Sequence, residues 1–158
     1  MSDIELSVVM PCLNEADTLE ACIRKAHAAL REQGISGEVI VADNGSTDAS
    51  PQIAERCGAR LIRVPQHANP QRNGYGNGLM TGIAAAHGRY VLMGDSDASY
   101  DFGEIPRFLD KLREGFDLVM GCRLPAGGGR ILKGAMPWSH RWIGNPLFSL
   151  LVRRWFGV

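Results

Sequence analysis

Short apolar runs alternate along this chain with longer stretches in which apolar residues recur every three to four positions. The runs Leu6–Met10, Val39–Ala42, Leu61–Val64 and Tyr90–Gly94 have the length and β-branched character of strands. Pro11 and Pro65 close the first and third. Leu19, Ile23, Ala26 and Leu30 share one helical face, which predicts a helix from a cap at Asn14 or Asp17 to about Gln33. Further helices are predicted at Ser50–Arg56, Leu79–Ala86 and Glu104–Arg113, a polar, glycine-rich loop over 66–78, and a fifth strand at Leu118–Met120. This β-α-β-α rhythm predicts an α/β fold, a mainly parallel sheet with helices on both faces.

The segment 137–158 breaks the rhythm. Trp138, Trp142, Ile143, Leu147, Leu150, Leu151 and Trp155 are mixed there with Arg141, Arg153 and Arg154. Two readings stand: a helix lying in a membrane interface, or one packed on the sheet. Its charge-free apolar stretch, Pro146–Val152, is far shorter than the roughly 20 residues of a membrane span. The domain expectation is therefore 1–136 for the α/β unit and 137–158 for an amphipathic helix.

Composition narrows the picture modestly. With 158 residues, 45% apolar and 22% charged, the chain can bury one sizeable core. Its 17 basic and 17 acidic side chains cancel, which removes the general electrostatic case for a nucleic-acid partner. No acidic residue follows Asp117, while Arg123, Arg130, Lys133, Arg141, Arg153 and Arg154 do, so the C-terminal quarter should meet an anion or a membrane surface. Cys12, Cys22, Cys57 and Cys122 lack metal or redox spacing and read as reduced thiols. The expected location is cytoplasmic, peripheral at the cytosolic face of a membrane.

Candidate chemistry sits where strands end. Asp95-Ser96-Asp97 follows the Tyr90 run and places two carboxylates, one residue apart, at a strand's carboxyl end. Ligands of open α/β sheets gather there, and carboxylate oxygens suit hard Mg²⁺ or Mn²⁺, which accept phosphate oxygens in turn. Pro11-Cys12-Leu13-Asn14-Glu15 follows the first run, Asp43-Asn44-Gly45-Ser46-Thr47-Asp48 the second, and Gly121-Cys122-Arg123 the fifth.

Taken together these motifs resemble the nucleotide-sugar domain of the inverting GT-A glycosyltransferases of family 2, with P-x-x-N-E, D-[DN]-G-S-x-D and D-x-D in order. Polyprenyl-phosphate and dolichyl-phosphate hexose synthases are the most similar members, sharing Tyr100-Asp101-Phe102 and the glycine loop Gly74-Tyr75-Gly76-Asn77. The resemblance implies a Rossmann-like GT-A fold, a UDP-sugar or GDP-mannose donor, a Mg²⁺ or Mn²⁺ ion and a polyprenyl phosphate acceptor. Pro11, Leu13 and Glu15 would line base and ribose, and Glu15 also suits the first turn of a helix. Asp43 would accept from a ring N–H of uracil or guanine. Asp97 would ligate the metal, while Asp95 would bind it directly, through water, or reach the ribose. Ser96 would lie at the donor, and Ser99 stands where relatives often carry a stronger polar ligand. Arg123 would pair with the diphosphate or the lipid phosphate. Ser46 and Asp48 read as turn and cap residues. Arg72 would supply the positive charge that many relatives carry where this chain has Tyr75, and Arg130 and Lys133 would close over the acceptor or simply be solvated.

Downstream of the basic loop such synthases carry an acidic residue, a glycine and an arginine that position the acceptor, and nothing here matches them. The expectation is the donor-binding front of a longer enzyme. The alternative is a nucleotide-sugar-binding module without turnover. A phosphatase of the haloacid-dehalogenase type fits poorly, because its D-x-D follows the first strand.

Overall fold

The computed structural model describes residues 4–67, 69, 73–122 and 137–157, in two compact units, 1–119 and 120–158. The first unit holds four parallel strands, β1 (Leu6–Cys12), β2 (Gly37–Asp43), β3 (Arg60–Arg63) and β4 (Tyr90–Met93), in the order β3-β2-β1-β4. The chain steps from β1 to β2 to β3 in one direction, then returns to place β4 on the other side of β1. The gap outside the carboxyl ends of β1 and β4 is thus a topological switch point, where open α/β sheets hold ligands.

Helices cover both faces of the sheet. Alternation along β1 sends Leu6, Val8, Met10 and Cys12 to one face, where they meet Leu19, Cys22, Ile23, Ala26 and Leu30 of α1 (Leu19–Glu32). Ile53 and Ala54 of α2 (Ser50–Arg56) join this core, as do Ile105 and Leu109 of α4 (Ile105–Arg113). The opposite face is covered by α3 (Tyr75–Ala84), which packs on β1 and β2. Gly82 permits that approach: a Cβ there would fall 2.5 Å from Val9 Cγ1.

At the strands' amino-terminal ends a polar network ties the sheet together. The Ser7 hydroxyl donates to Glu38 Oε1 at 2.7 Å and accepts from the Gly88 N–H at 2.8 Å. Glu38 also accepts from the His87 N–H at 2.9 Å and from Arg60 Nε at 2.9 Å. Burial opposes its charge, but these donors outweigh it and hold the carboxyl below the ordinary range.

The strands and helices fall where the hydrophobic pattern places them, with four differences. Pro11 does not close β1, which runs on to Cys12 by pairing Pro11 with Ala42 and Cys12 with Asp43; the missing Pro11 N–H costs no ladder bond to β4, whose pairing ends at Val9. Helix α1 starts at Leu19, with no side-chain cap, because Asn14 is in the left-handed region (φ 58°) and binds another loop. Helix α3 starts at Tyr75, inside the expected glycine loop. Leu118–Met120 is not a strand among the described residues, and Leu118 and Met120 are 75% and 78% exposed. A three-residue apolar run becomes a strand only by pairing, and no described segment pairs with the outer edge of β4.

In the second unit a π-helical turn, His140–Gly144, leads into α5 (Asn145–Phe156), which ends at Gly157 with φ 70°. None of these helical residues is buried, and Trp138, Trp142, Phe148, Leu150, Trp155 and Phe156 are all exposed. No helix among the described residues is long and apolar enough to cross a membrane.

Candidate functional site

At the switch point lies a cleft of about 290 Å³. It is lined by Pro11, Cys12, Leu13 and Glu15 after β1, Asn44 after β2, Asn73, Gly74, Tyr75 and Gly78 at the start of α3, and Asp95, Ser96 and Asp97 after β4. Three of the four motif loops therefore converge on it. Arg123, which closes the fourth motif, lies outside the described residues, as do Arg72, Arg130 and Lys133.

The loop after β2 acts as a scaffold for the loop after β1. Three consecutive backbone N–H groups are taken up in turn: Asn14 by Ser46 Oγ at 2.9 Å, Glu15 by Ser50 Oγ at 3.0 Å and Ala16 by Asp48 Oδ2 at 3.0 Å. Asn14 Oδ1 accepts from the Thr47 N–H at 2.8 Å in return. Asp43 is buried, its Oδ1 accepting from the Ser46 N–H at 3.0 Å, and is not among the residues lining the cleft. Through that bond Asp43 also shapes the turn of this scaffold.

The acidic loop is positioned from beneath. Phe102 is buried against Gly94, the residue before Asp95. The Ser96 hydroxyl donates to the Pro11 carbonyl at 2.9 Å, and the Thr18 hydroxyl donates to the Ser96 carbonyl at 2.7 Å. Ser96 thus lines the cleft while its hydroxyl anchors the loop to β1. Asp95 and Asp97 flank it. Asp97 is exposed, and its carboxyl is held below the ordinary range by the Ser99 hydroxyl and then by the Ser99 N–H, which donates to Oδ1 at 2.8 Å. Ser99 itself is not a lining residue. Ala98 between them has φ 64°, a conformation that costs a non-glycine residue about 1 kcal/mol.

The far wall is the start of α3. Asn44 Nδ2 donates to the Asn73 carbonyl at 2.6 Å, and Asn77 Nδ2 to the Pro65 carbonyl at 3.1 Å. The Tyr75 hydroxyl crosses the cleft to donate to Asp95 Oδ1 at 2.8 Å. Burial, then this carboxylate, push the phenol up to about 12. Burial likewise raises the Cys12 thiol, which therefore lines the cleft as a neutral group.

Chemically the site offers two carboxylates, Asp95 and Asp97, at one edge of the cleft with the amino end of α3 facing them, and a third, Glu15, on the loop after β1. No cluster of three or more protein ligands for a metal exists among the described residues. Two carboxylates fit a hard divalent cation whose remaining ligands are phosphate oxygens and water.

Residues 7–156 match the glycosyl transferase family 2. The chain belongs to that family. It is 42% identical over 154 residues to a low-salt glycan biosynthesis hexosyltransferase of Haloferax volcanii, an alignment covering 97% of this chain and 35% of the relative. Identity is 33% over 155 residues to an undecaprenyl-phosphate 4-deoxy-4-formamido-L-arabinose transferase of Pseudomonas fluorescens, covering 97% and 43%. Among solved structures, glucosyl-3-phosphoglycerate synthase of Mycobacterium tuberculosis in complex with Mn²⁺ and UDP-glucose superposes with a TM-score of 0.58 at 34% identity, covering 70% of this chain and 40% of that one. The family 2 chain described here thus spans between a third and a half of the length of these relatives, and it shares their GT-A fold.

Asn44 and Cys12 are among the lining residues to which the sequence motifs assign no role. Asn44 stands inside the second motif, which was the available signal. Cys12 offered none beyond its place between Pro11 and Leu13.

Proposed function

We propose that this family 2 domain binds the donor of an inverting hexosyl transfer, a UDP-sugar in preference to GDP-mannose, with polyprenyl phosphate as acceptor at the cytosolic membrane face. The observation that carries the reading is the convergence of Pro11–Glu15 and Asp95–Asp97 on one cleft at the switch point. Its preference for uridine rests on the UDP-glucose complex of the mycobacterial relative, and its lipid acceptor on the undecaprenyl-phosphate transferase.

Pro11, Leu13 and Glu15 hold the base and ribose. Asp97 and Asp95 hold the diphosphate end through Mg²⁺ or Mn²⁺, which when bound neutralises charge on the departing nucleoside diphosphate. The amino end of α3 adds a favourable field for phosphate. A phosphate acceptor is already anionic, so attack on the anomeric carbon needs little proton removal, and positioning carries most of the chemistry. The exposed aromatic and arginine-bearing helix over 138–156 suits contact with the lipid surface from which the acceptor comes.

Calorimetric titration with UDP, GDP and UDP-glucose, with and without Mn²⁺, tests the donor reading. Mn²⁺-dependent binding of UDP and UDP-glucose, lost in Asp97→Ala, is the expected result. Binding of GDP alone would transfer the assignment to GDP-mannose, and binding of neither nucleotide would overturn it. Transfer of labelled sugar to undecaprenyl phosphate in anionic vesicles tests the acceptor; nucleotide binding without transfer would favour a binding module.

A further inference from the structure

We propose that Tyr75 is a positioning residue of the donor site: its hydroxyl holds the Asp95 carboxylate in the orientation that presents the other oxygen to the diphosphate and its cation. The inference rests on the donor-site reading above. Its geometric basis is the 2.8 Å hydrogen bond from the Tyr75 hydroxyl to Asp95 Oδ1, made between residues on opposite walls of the cleft.

The two walls are not equally restrained at this point. Tyr75 stands on a fixed footing, because the preceding backbone is held through the Asn73 and Gly74 carbonyls by Asn44, and the next turn is held by Asn77. The Asn73 side chain adds a reciprocal pair with the His67 backbone, at 2.7 and 3.1 Å. Asp95 has a fixed backbone, through its neighbours Gly94 and Ser96, but a half-buried side chain. Among the described residues that carboxylate accepts one side-chain hydrogen bond, the one from Tyr75. Without it the carboxylate would be free to rotate, and ordering it would be charged against cation binding.

A phenol suits the task better than a cationic side chain. It donates one hydrogen bond and leaves the carboxylate its full negative charge, so the second oxygen remains a strong ligand. The Tyr75 hydroxyl therefore sets how readily the site takes up its cation, while the nucleoside end is recognised by residues that it does not touch.

The test is the Mn²⁺ requirement of UDP binding, read by calorimetry on the wild-type chain, Tyr75→Phe and Tyr75→Ala, with thermal melting as the check on folding. Tyr75→Phe is expected to raise the half-saturating Mn²⁺ concentration about five- to tenfold, the size of one typical net hydrogen bond. UDP affinity at saturating Mn²⁺ and the melting temperature should stay within about twofold and one degree of wild type, the limits set by a substitution that keeps the ring. Tyr75→Ala should lose little more than Tyr75→Phe. The inference is overturned if Tyr75→Phe takes up Mn²⁺ as readily as wild type or more so, if only Tyr75→Ala is impaired, or if the loss persists at saturating Mn²⁺. Failure of the wild-type chain to bind nucleotide with Mn²⁺ would instead overturn the donor-site reading, and the role of Tyr75 with it.

Discussion

Phe102 occupies the space that any side chain on Gly94 would need: a Cβ at that position would fall 2.7 and 2.8 Å from two carbons of the ring. Because Phe102 is only 2% exposed, the ring cannot swing into solvent to make room. The absence of a side chain at residue 94 is thus what lets β4 deliver Asp95 and Asp97 over the core instead of being pushed away from it.

Gly94→Ala should therefore destabilise the fold by about 1–3 kcal/mol, the range for overpacking a dense core, and weaken Mn²⁺-dependent UDP binding as the acidic loop shifts. Adding Phe102→Leu should recover part of both losses. Melting curves and titrations on the single and double variants check this, and unaltered behaviour of Gly94→Ala would remove Phe102 as the support of the acidic loop.

Ser50 is fully buried, and its hydroxyl takes up the Glu15 N–H. Ser50→Ala leaves that donor without its partner, so urea denaturation should show a loss of roughly 1–3 kcal/mol. Thr47→Ala, at an exposed position of the same loop, should stay within about 0.5 kcal/mol of wild type. Equal effects of the two substitutions would contradict the scaffold role assigned to Ser50.

Glu38 links stability to pH. Its carboxyl lies below the ordinary 4.5 in the folded state, so its contribution is fully present above that value and is lost as pH falls through the lower folded value. Glu38→Gln should lower the melting temperature at pH 7, with a free-energy loss of roughly 1–3 kcal/mol, and the gap to wild type should narrow in acid. A gap that stays constant from pH 7 to pH 3 would mean that the charge of Glu38 contributes nothing.

Ligand binding should also be visible as stability. At UDP a hundredfold above its dissociation constant, the folded state should gain about 2.7 kcal/mol in the presence of Mn²⁺. A chelator, or Asp97→Ala, should abolish the corresponding rise in melting temperature. A rise that survives chelation would show nucleotide binding independent of the acidic pair.

Much of this architecture is legible in the chain itself, for local reasons. Strand and helix faces follow from periods of two and 3.6, so Val8 and Met10, or Leu19, Ile23 and Ala26, declare their common side without reference to the rest of the molecule. Helix α2 begins and ends at Ser50 and Arg56 as expected, helped by Pro51 in its first turn. The position of Asp95-Ser96-Asp97 beyond an apolar run was enough to place the carboxylates at the ligand-binding end of the sheet.

Only tertiary structure could decide the rest, because the deciding partners are distant in sequence. Leu118–Met120 has the composition of a strand, but pairing must come from elsewhere, and none of the described residues supplies it. Asn14 has the chemistry of a helix cap, yet the loop after β2, 33 residues away at Thr47, claims its side chain. The glycine-rich start of α3 looks like loop until Asn44 secures the carbonyls before it. Tyr75 meets Asp95 across 20 residues only because parallel strand order brings the ends of β1, β2 and β4 to one edge. Periodicity and turn chemistry are properties of neighbours along the chain and are written in the sequence. Which side chain completes another's hydrogen bonds depends on the fold having already closed the distance.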